Sequence, residues 1–91
     1  MEKKPNLEKV GRVLVSPPKY GIVVTLGKEP ESFTDIKREL DIPSGTLNYH
    51  LLVLQKDGLV EKRDDGEYQL SPEGRRVFDI AKDVALKESE E

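Results

Sequence analysis

Apolar side chains recur along the chain in short groups at helical spacing, with prolines and glycines separating the groups. Leu7, Val10, Val13 and Leu14 predict a short amphipathic helix over about 6–15, weakened by Gly11. Ser16 followed by Pro17 is an N-cap with proline at the first helical position. The run Tyr20, Ile22, Val23, Val24 and Leu26 then leads to Gly27, which reads as a stop. This run is β-branched and also fits a strand, but the proline pair at its start favours a helix. Thr34 is the expected cap of the next helix, with Asp35 in its first turn and Ile36 and Leu40 on one face. Asp41-Ile42-Pro43 makes a short turn, because a residue before proline avoids helical geometry. Ser44 is the next expected cap, Leu47, Leu51 and Leu54 form an i, i+4, i+7 stripe, and Gly58 closes the helix 44–57. Two short helices joined by a tight turn form a helix-turn-helix pattern.

Beyond Gly58, two short runs flank Asp65-Gly66, a pair suited to the positive φ angles of a type I′ hairpin turn. A two-residue loop there sets Arg63 opposite Tyr68 and Glu61 opposite Leu70. Leu59, Tyr68 and Leu70 then share one face, and Lys62 and Gln69 share the other. Ser71-Pro72-Glu73 starts a last helix over about 72–87, with Val77, Ala81, Val84 and Ala85 in one stripe and Phe78 beside it. The expected class is therefore mainly α with a small β-hairpin, in one domain spanning 1–91.

Composition narrows the chemistry. The 91 residues include no cysteine, one histidine and one methionine, which excludes disulfides and thiolate metal sites and points to a reducing, cytoplasmic compartment. No apolar run is long enough for a membrane span, and no signal-peptide pattern opens the chain. His50 has no second histidine or cysteine to share a metal with, so it reads as a packed, hydrogen-bonded side chain. No nucleophile–base pair or glycine-rich phosphate loop is present; no catalytic residue, cofactor or metal is expected, and the chain does not read as an enzyme. Charged residues make up 36%, with net charge −3 and an excess of acids in 79–91. Abundant Lys and Glu with scarce Asn and Gln fit a hyperthermophile's composition.

Three segments carry a family resemblance. Ser44-Gly45-Thr46-Leu47-Asn48-Tyr49-His50-Leu51, with Leu54 and Asp57-Gly58-Leu59-Val60, resembles the recognition helix and first wing strand of winged helix-turn-helix regulators of the ArsR-like and MarR-like, archaeal type. Leu70-Ser71-Pro72-Glu73-Gly74-Arg75 resembles the junction after the wing, and Ser16-Pro17-Pro18-Lys19 resembles a helix opening of that family. The likeness covers about 16–78. It implies a transcription regulator that binds double-stranded DNA, as a homodimer, with helix 44–57 in the major groove and wing 59–70 on the neighbouring backbone.

With Leu47, Leu51 and Leu54 facing the core, the opposite face shows Gly45, Thr46, Asn48, Tyr49 and Leu52. Asparagine pairs bidentately with adenine, Thr and Tyr reach base edges or phosphates, and a helix N-terminus offers N–H groups to phosphate. The candidate DNA contacts are Ser44, Gly45, Thr46, Asn48 and Tyr49, with Lys37 and Arg38 on the preceding helix and Lys62 and Arg63 on the wing. Lys19, Arg75 and Arg76 are supplementary. Asp64 and Asp65 at the wing tip repel phosphate, so a weak non-specific affinity with a shallow salt dependence is expected. Candidate pairing residues are Val10, Val13 and Leu14 with Val77, Ala81, Val84 and Ala85; a two-fold dimer would place its recognition helices about 34 Å apart. The alternative is a protein-interaction module in a transcription or chromatin assembly, meeting a protein partner through Tyr49 and Leu52. Metal sensing through cysteine clusters is excluded, and the chain leaves little room for a ligand pocket.

Overall fold

Five helices and one antiparallel hairpin form in the order α1 (Leu7–Leu14), α2 (Pro17–Lys28), α3 (Phe33–Leu40), α4 (Ser44–Lys56), β1 (Val60–Lys62), β2 (Tyr68–Leu70) and α5 (Pro72–Ser89). The computed structural model describes residues 7–89, with side chains to position 84. The apolar stripes named above converge on one core. α2 contributes Ile22, Val23 and Leu26, α3 Ile36, α4 Leu47, Leu51 and Leu54, the hairpin region Leu59, Val60 and Tyr68, α5 Val77 and Ala81, and α1 Val10 and Val13. Burying one such Leu, Ile or Val side chain stabilises the fold by about 1.5–3 kcal/mol. The three leucines therefore fix which face of α4 turns outward.

Ser16 caps α2 as expected, its Oγ accepting from the Lys19 N–H at 3.4 Å, with proline in the first turn. Three helix boundaries differ from the sequence expectation. α2 continues through Gly27 to Lys28, because Gly27 is a packing position: a Cβ there would come within 2.8 Å of the Phe78 ring. Ser32, not Thr34, caps α3, its Oγ accepting from the Asp35 N–H at 3.2 Å. Ser44 is the first residue inside α4, since the preceding Pro43 takes the extended cap position and provides no side-chain hydrogen bond. Asp41 ends α3 in the left-handed region (φ 52°), its N–H donating to the Lys37 carbonyl.

The wing register is also shifted by one residue. Val60 pairs with Leu70, Glu61 with Gln69 and Lys62 with Tyr68. A type I′ turn needs positive φ at both central residues, but Asp65 is not among the positive-φ residues, whereas Gly66 is (φ 89°). The Asp65 carboxylate instead accepts from the Glu67 N–H at 3.0 Å. Arg63 then receives the Gly66 N–H on its carbonyl and donates its own N–H to Glu67, which closes a three-residue loop with glycine at the left-handed position. The slip moves Lys62 to the face of Tyr68, where its Nζ lies 5.6 Å from the ring centroid. On the other face Gln69 donates to Glu61 at 3.0 Å.

A connection that the sequence pattern did not reveal ties the wing to the helical body. Glu31, in the α2–α3 loop, exchanges two backbone hydrogen bonds with Tyr68, at 2.8 and 3.0 Å, and so adds a one-residue third strand. On the opposite side, Lys9 of α1 bonds both the Asp57 carbonyl at 2.6 Å and the Glu73 carboxylate, linking α1, the end of α4 and α5.

Most candidate pairing residues are already used inside one chain. Val10, Val13, Val77 and Ala81 are buried because α1 and α5 pack on each other and on α2. A second copy cannot meet those four without opening the core. Leu14 and Val84 are half-buried, and the side chain of Ala85 lies outside the described residues. Leu7 and Val15 are the exposed large apolar residues of the α1 region, at 71% and 80%. No described helix is long and apolar enough to cross a membrane.

Candidate nucleic-acid interface

α4 turns one continuous stripe to solvent. Gly45, Asn48, Tyr49, Leu52 and Lys56 are all exposed; Asn48 and Tyr49 each stand three or four from Gly45 and from Leu52, and Lys56 four beyond Leu52, the repeat of a single helix face. The stripe carries no acid. At its start Ser44 and Gly45 are exposed and Thr46 is half-buried; the cap position offers no side-chain acceptor, so first-turn N–H groups remain for an outside partner. A Cβ on Gly45 would meet nothing within 4 Å, so its small size leaves open space beside the backbone and answers no packing demand.

Tyr49 stands edge-on to His50, ring centroids 5.2 Å apart and planes at 69°. His50 is packed against the body of the protein, as expected, but its Nδ1 is buried without a hydrogen-bond partner. Burial and, second to it, the nearby Lys19 charge hold the His50 pKa below its ordinary value. A neutral imidazole beside Lys19 therefore flanks the stripe near neutral pH. The face combines amide, phenol, aliphatic and ammonium groups with exposed backbone donors. Those groups suit base edges, methyl groups and phosphates.

The other candidates do not all join this face. Lys37 on α3 is half-buried and makes no ion pair among the described residues. Arg38 bonds Asp35 at 3.2 Å and lines a hollow with Glu29, Glu31, Asp35, Glu39 and Glu67. That setting turns Arg38 towards carboxylates. Within the hollow, partial burial first, and then the Glu39 carboxylate, raise the Glu31 pKa. On the wing, Arg63 pairs with Asp65 at 3.3 Å while Lys62 lies over Tyr68. The hairpin from Leu59 to Leu70 carries four acids against two bases, and both bases are engaged. Arg75 donates to the Gly27 carbonyl at 2.9 Å and lies over Phe78, so it serves packing. Lys56 was missed in the sequence reading, although it stands four residues beyond Leu52 on the same repeat. Among the described residues no group of three or more His, Asp or Glu is arranged to hold a metal ion.

Residues 20–63, just under half of the chain, match the model of a helix-turn-helix domain family. No curated protein matches in sequence. Several solved structures share the fold. The quinone-bound YodB of Bacillus subtilis superposes with a TM-score of 0.83 at 19% identity, covering 98% of this chain and 100% of that one. The homodimeric winged helix-turn-helix DNA-binding domain of a Mycobacterium bovis protein gives 0.77 at 25% identity, over 92% of this chain and 82% of that one. A protein assigned to the MarR family of transcriptional regulators, from Enterococcus faecalis, gives 0.82 at 22% identity, over 98% and 87%. The chain thus has the winged helix-turn-helix fold of the ArsR- and MarR-type transcription regulators it resembles.

Proposed function

We propose that this chain is a DNA-binding transcription regulator that inserts α4 into the major groove and acts as a homodimer. The observation that carries the reading is the acid-free exposed stripe of α4, held outward by Leu47, Leu51 and Leu54 and preceded by an uncapped helix start. Asn48 and Tyr49 meet base edges. Ser44, Gly45 and Thr46 offer the helix start to phosphate, Lys56 adds a cation at the far end of the helix, and Lys37 adds one from α3. The wing contributes little attraction, because Lys62 and Arg63 are engaged and outnumbered by acids. Pairing draws on apolar side chains of the terminal helices that one chain leaves exposed, Leu7, or only half-covered, Leu14 and Val84. The Mycobacterium bovis domain, itself homodimeric, supports that assembly by analogy. The whole chain acts as one domain in the cytoplasm, without catalysis or cofactor. Nothing favours a protein partner on Tyr49 and Leu52 over this reading, since both stand in the same stripe as Asn48.

Titration of a labelled mixed-sequence duplex with the full chain at several salt concentrations tests the proposal. Binding that weakens with salt and falls on Asn48→Ala, but not on Asp79→Ala, supports it. Absence of binding at low salt overturns it.

A further inference from the structure

The side chains on the α4 stripe constrain which bases it can prefer. Guanine is read by a bidentate Arg or Lys, adenine by Asn or Gln, and thymine by apolar contact with its C5 methyl group. From Gly45 to Leu52 the stripe spans about 10 Å, roughly three base-pair steps, and in that span it holds no cation. It holds Asn48, then Tyr49 at 61% exposure and Leu52 at 54%. A leucine exposed to that extent stands on the outward face, one turn from an asparagine. The single cation on the stripe, Lys56, comes one turn later, in the last turn of the helix. Lys19 stands to the side, by His50. Cations at the edge and neutral groups at the centre match a surface that meets phosphates at its margin and base edges in its middle.

We infer that α4 selects A·T base pairs, with Asn48 pairing adenine and Leu52 and Tyr49 packing on thymine methyl groups. This rests on the proposed placement of α4 in the major groove and adds to it the class of sequence recognised. Tyr49 and Leu52 stand three apart on the same exposed helix face, so together they offer an apolar surface to methyls. The small Gly45 leaves that end of the helix free to approach the base pairs closely.

The test uses three duplexes of equal length: mixed A·T, mixed G·C, and the A·T duplex with uracil replacing every thymine. Uracil removes only the major-groove methyl and leaves backbone charge, pairing and minor groove in place. Competition binding with the full chain should rank the A·T duplex first. The uracil duplex should bind more weakly by about fourfold for each methyl covered. Leu52→Ala, a change on the surface, should reduce the thymine–uracil difference, with Tyr49 keeping the remainder, and should cost the uracil duplex less affinity than the thymine duplex. Equal binding of the thymine and uracil duplexes, or preference for the G·C duplex, overturns the inference and leaves α4 as a DNA-binding helix of other specificity. Failure to bind any of the three overturns the DNA-binding reading itself.

Discussion

Gly74, in the first turn of α5, lies directly against the Leu59 carbonyl: a Cβ at this position would come within 1.9 Å of that oxygen. The approach is enforced from both sides. The Ser71 N–H donates to the same Leu59 carbonyl at 2.9 Å. The Ser71 hydroxyl donates to the Gly58 carbonyl at 2.5 Å and accepts from the Gly74 N–H at 2.9 Å. One short segment thereby clamps the start of α5 to the junction between α4 and β1, and fixes where the wing leaves the helical body. Gly74→Ala should destabilise the protein by about 3 kcal/mol, because a backbone carbonyl cannot give way as a side chain can. Gly11→Ala, in a helix with open space around it, should instead gain about 0.5–1 kcal/mol. Urea denaturation of the two variants checks both signs. Equal tolerance at the two positions would contradict the clamp.

The wing tip offers a test of the charge argument. Asp64 is exposed at the hairpin apex, beside Asp65. Asp64→Lys should strengthen binding to mixed-sequence duplex and add about 0.9 to the slope of log affinity against log salt, the contribution of one further phosphate contact. Lys62→Ala should change the slope by much less. A large loss on Lys62→Ala would show that the wing already grips the backbone.

Glu31 gives a pH signature. Its raised pKa means that the folded protein holds this proton more tightly than the unfolded chain, so the group favours folding below its ordinary pKa of 4.5. That contribution is lost as pH rises through the folded value. Glu31→Gln should therefore raise the melting temperature at pH 7, and its advantage should shrink as pH falls towards 4.5. The backbone pairing of residue 31 with Tyr68 is untouched by the change. A variant less stable than the parent at pH 7 would contradict the account. His50 acts in the opposite sense: its lowered pKa favours folding above 6.5 and is a penalty as pH falls through the folded value.

Pairing can be checked by velocity sedimentation. Leu7→Glu and Val84→Glu should each shift a dimer towards monomer while leaving helicity unchanged, since neither side chain belongs to the buried core. A dimer that survives both changes would move the pairing surface away from these helices.

Much of this architecture is legible in the sequence, for identifiable reasons. The leucine triplet of α4 can face only the core, and Ser16 before two prolines favours a helix start over the strand that the β-branched run also fits. What the sequence hid depends on contacts across the chain. Gly27 carries the signature of a helix stop, yet Phe78, fifty-one positions on, makes it a packing site. Asp65-Gly66 fits two turns, and the Asp65 carboxylate decides between them by bonding the Glu67 N–H. The periodicity of α1 and α5 shows that Val10, Val13, Val77 and Ala81 are covered, but not whether the cover is the same chain or another. At the candidate site the identities of Asn48 and Tyr49 were visible, while the pairing of Arg38 and Arg63 with carboxylates was not.

The most direct test of the central claim is selection from a pool of random duplexes by the full chain, followed by sequencing. The account predicts a near-palindromic motif with its half-sites about one helical turn apart. Asn48→Ala should erase the motif, whereas Asp79→Ala should leave it intact. A pool that emerges unenriched at low salt, or a motif that survives Asn48→Ala unchanged, would contradict the assignment of α4 as the helix that reads DNA.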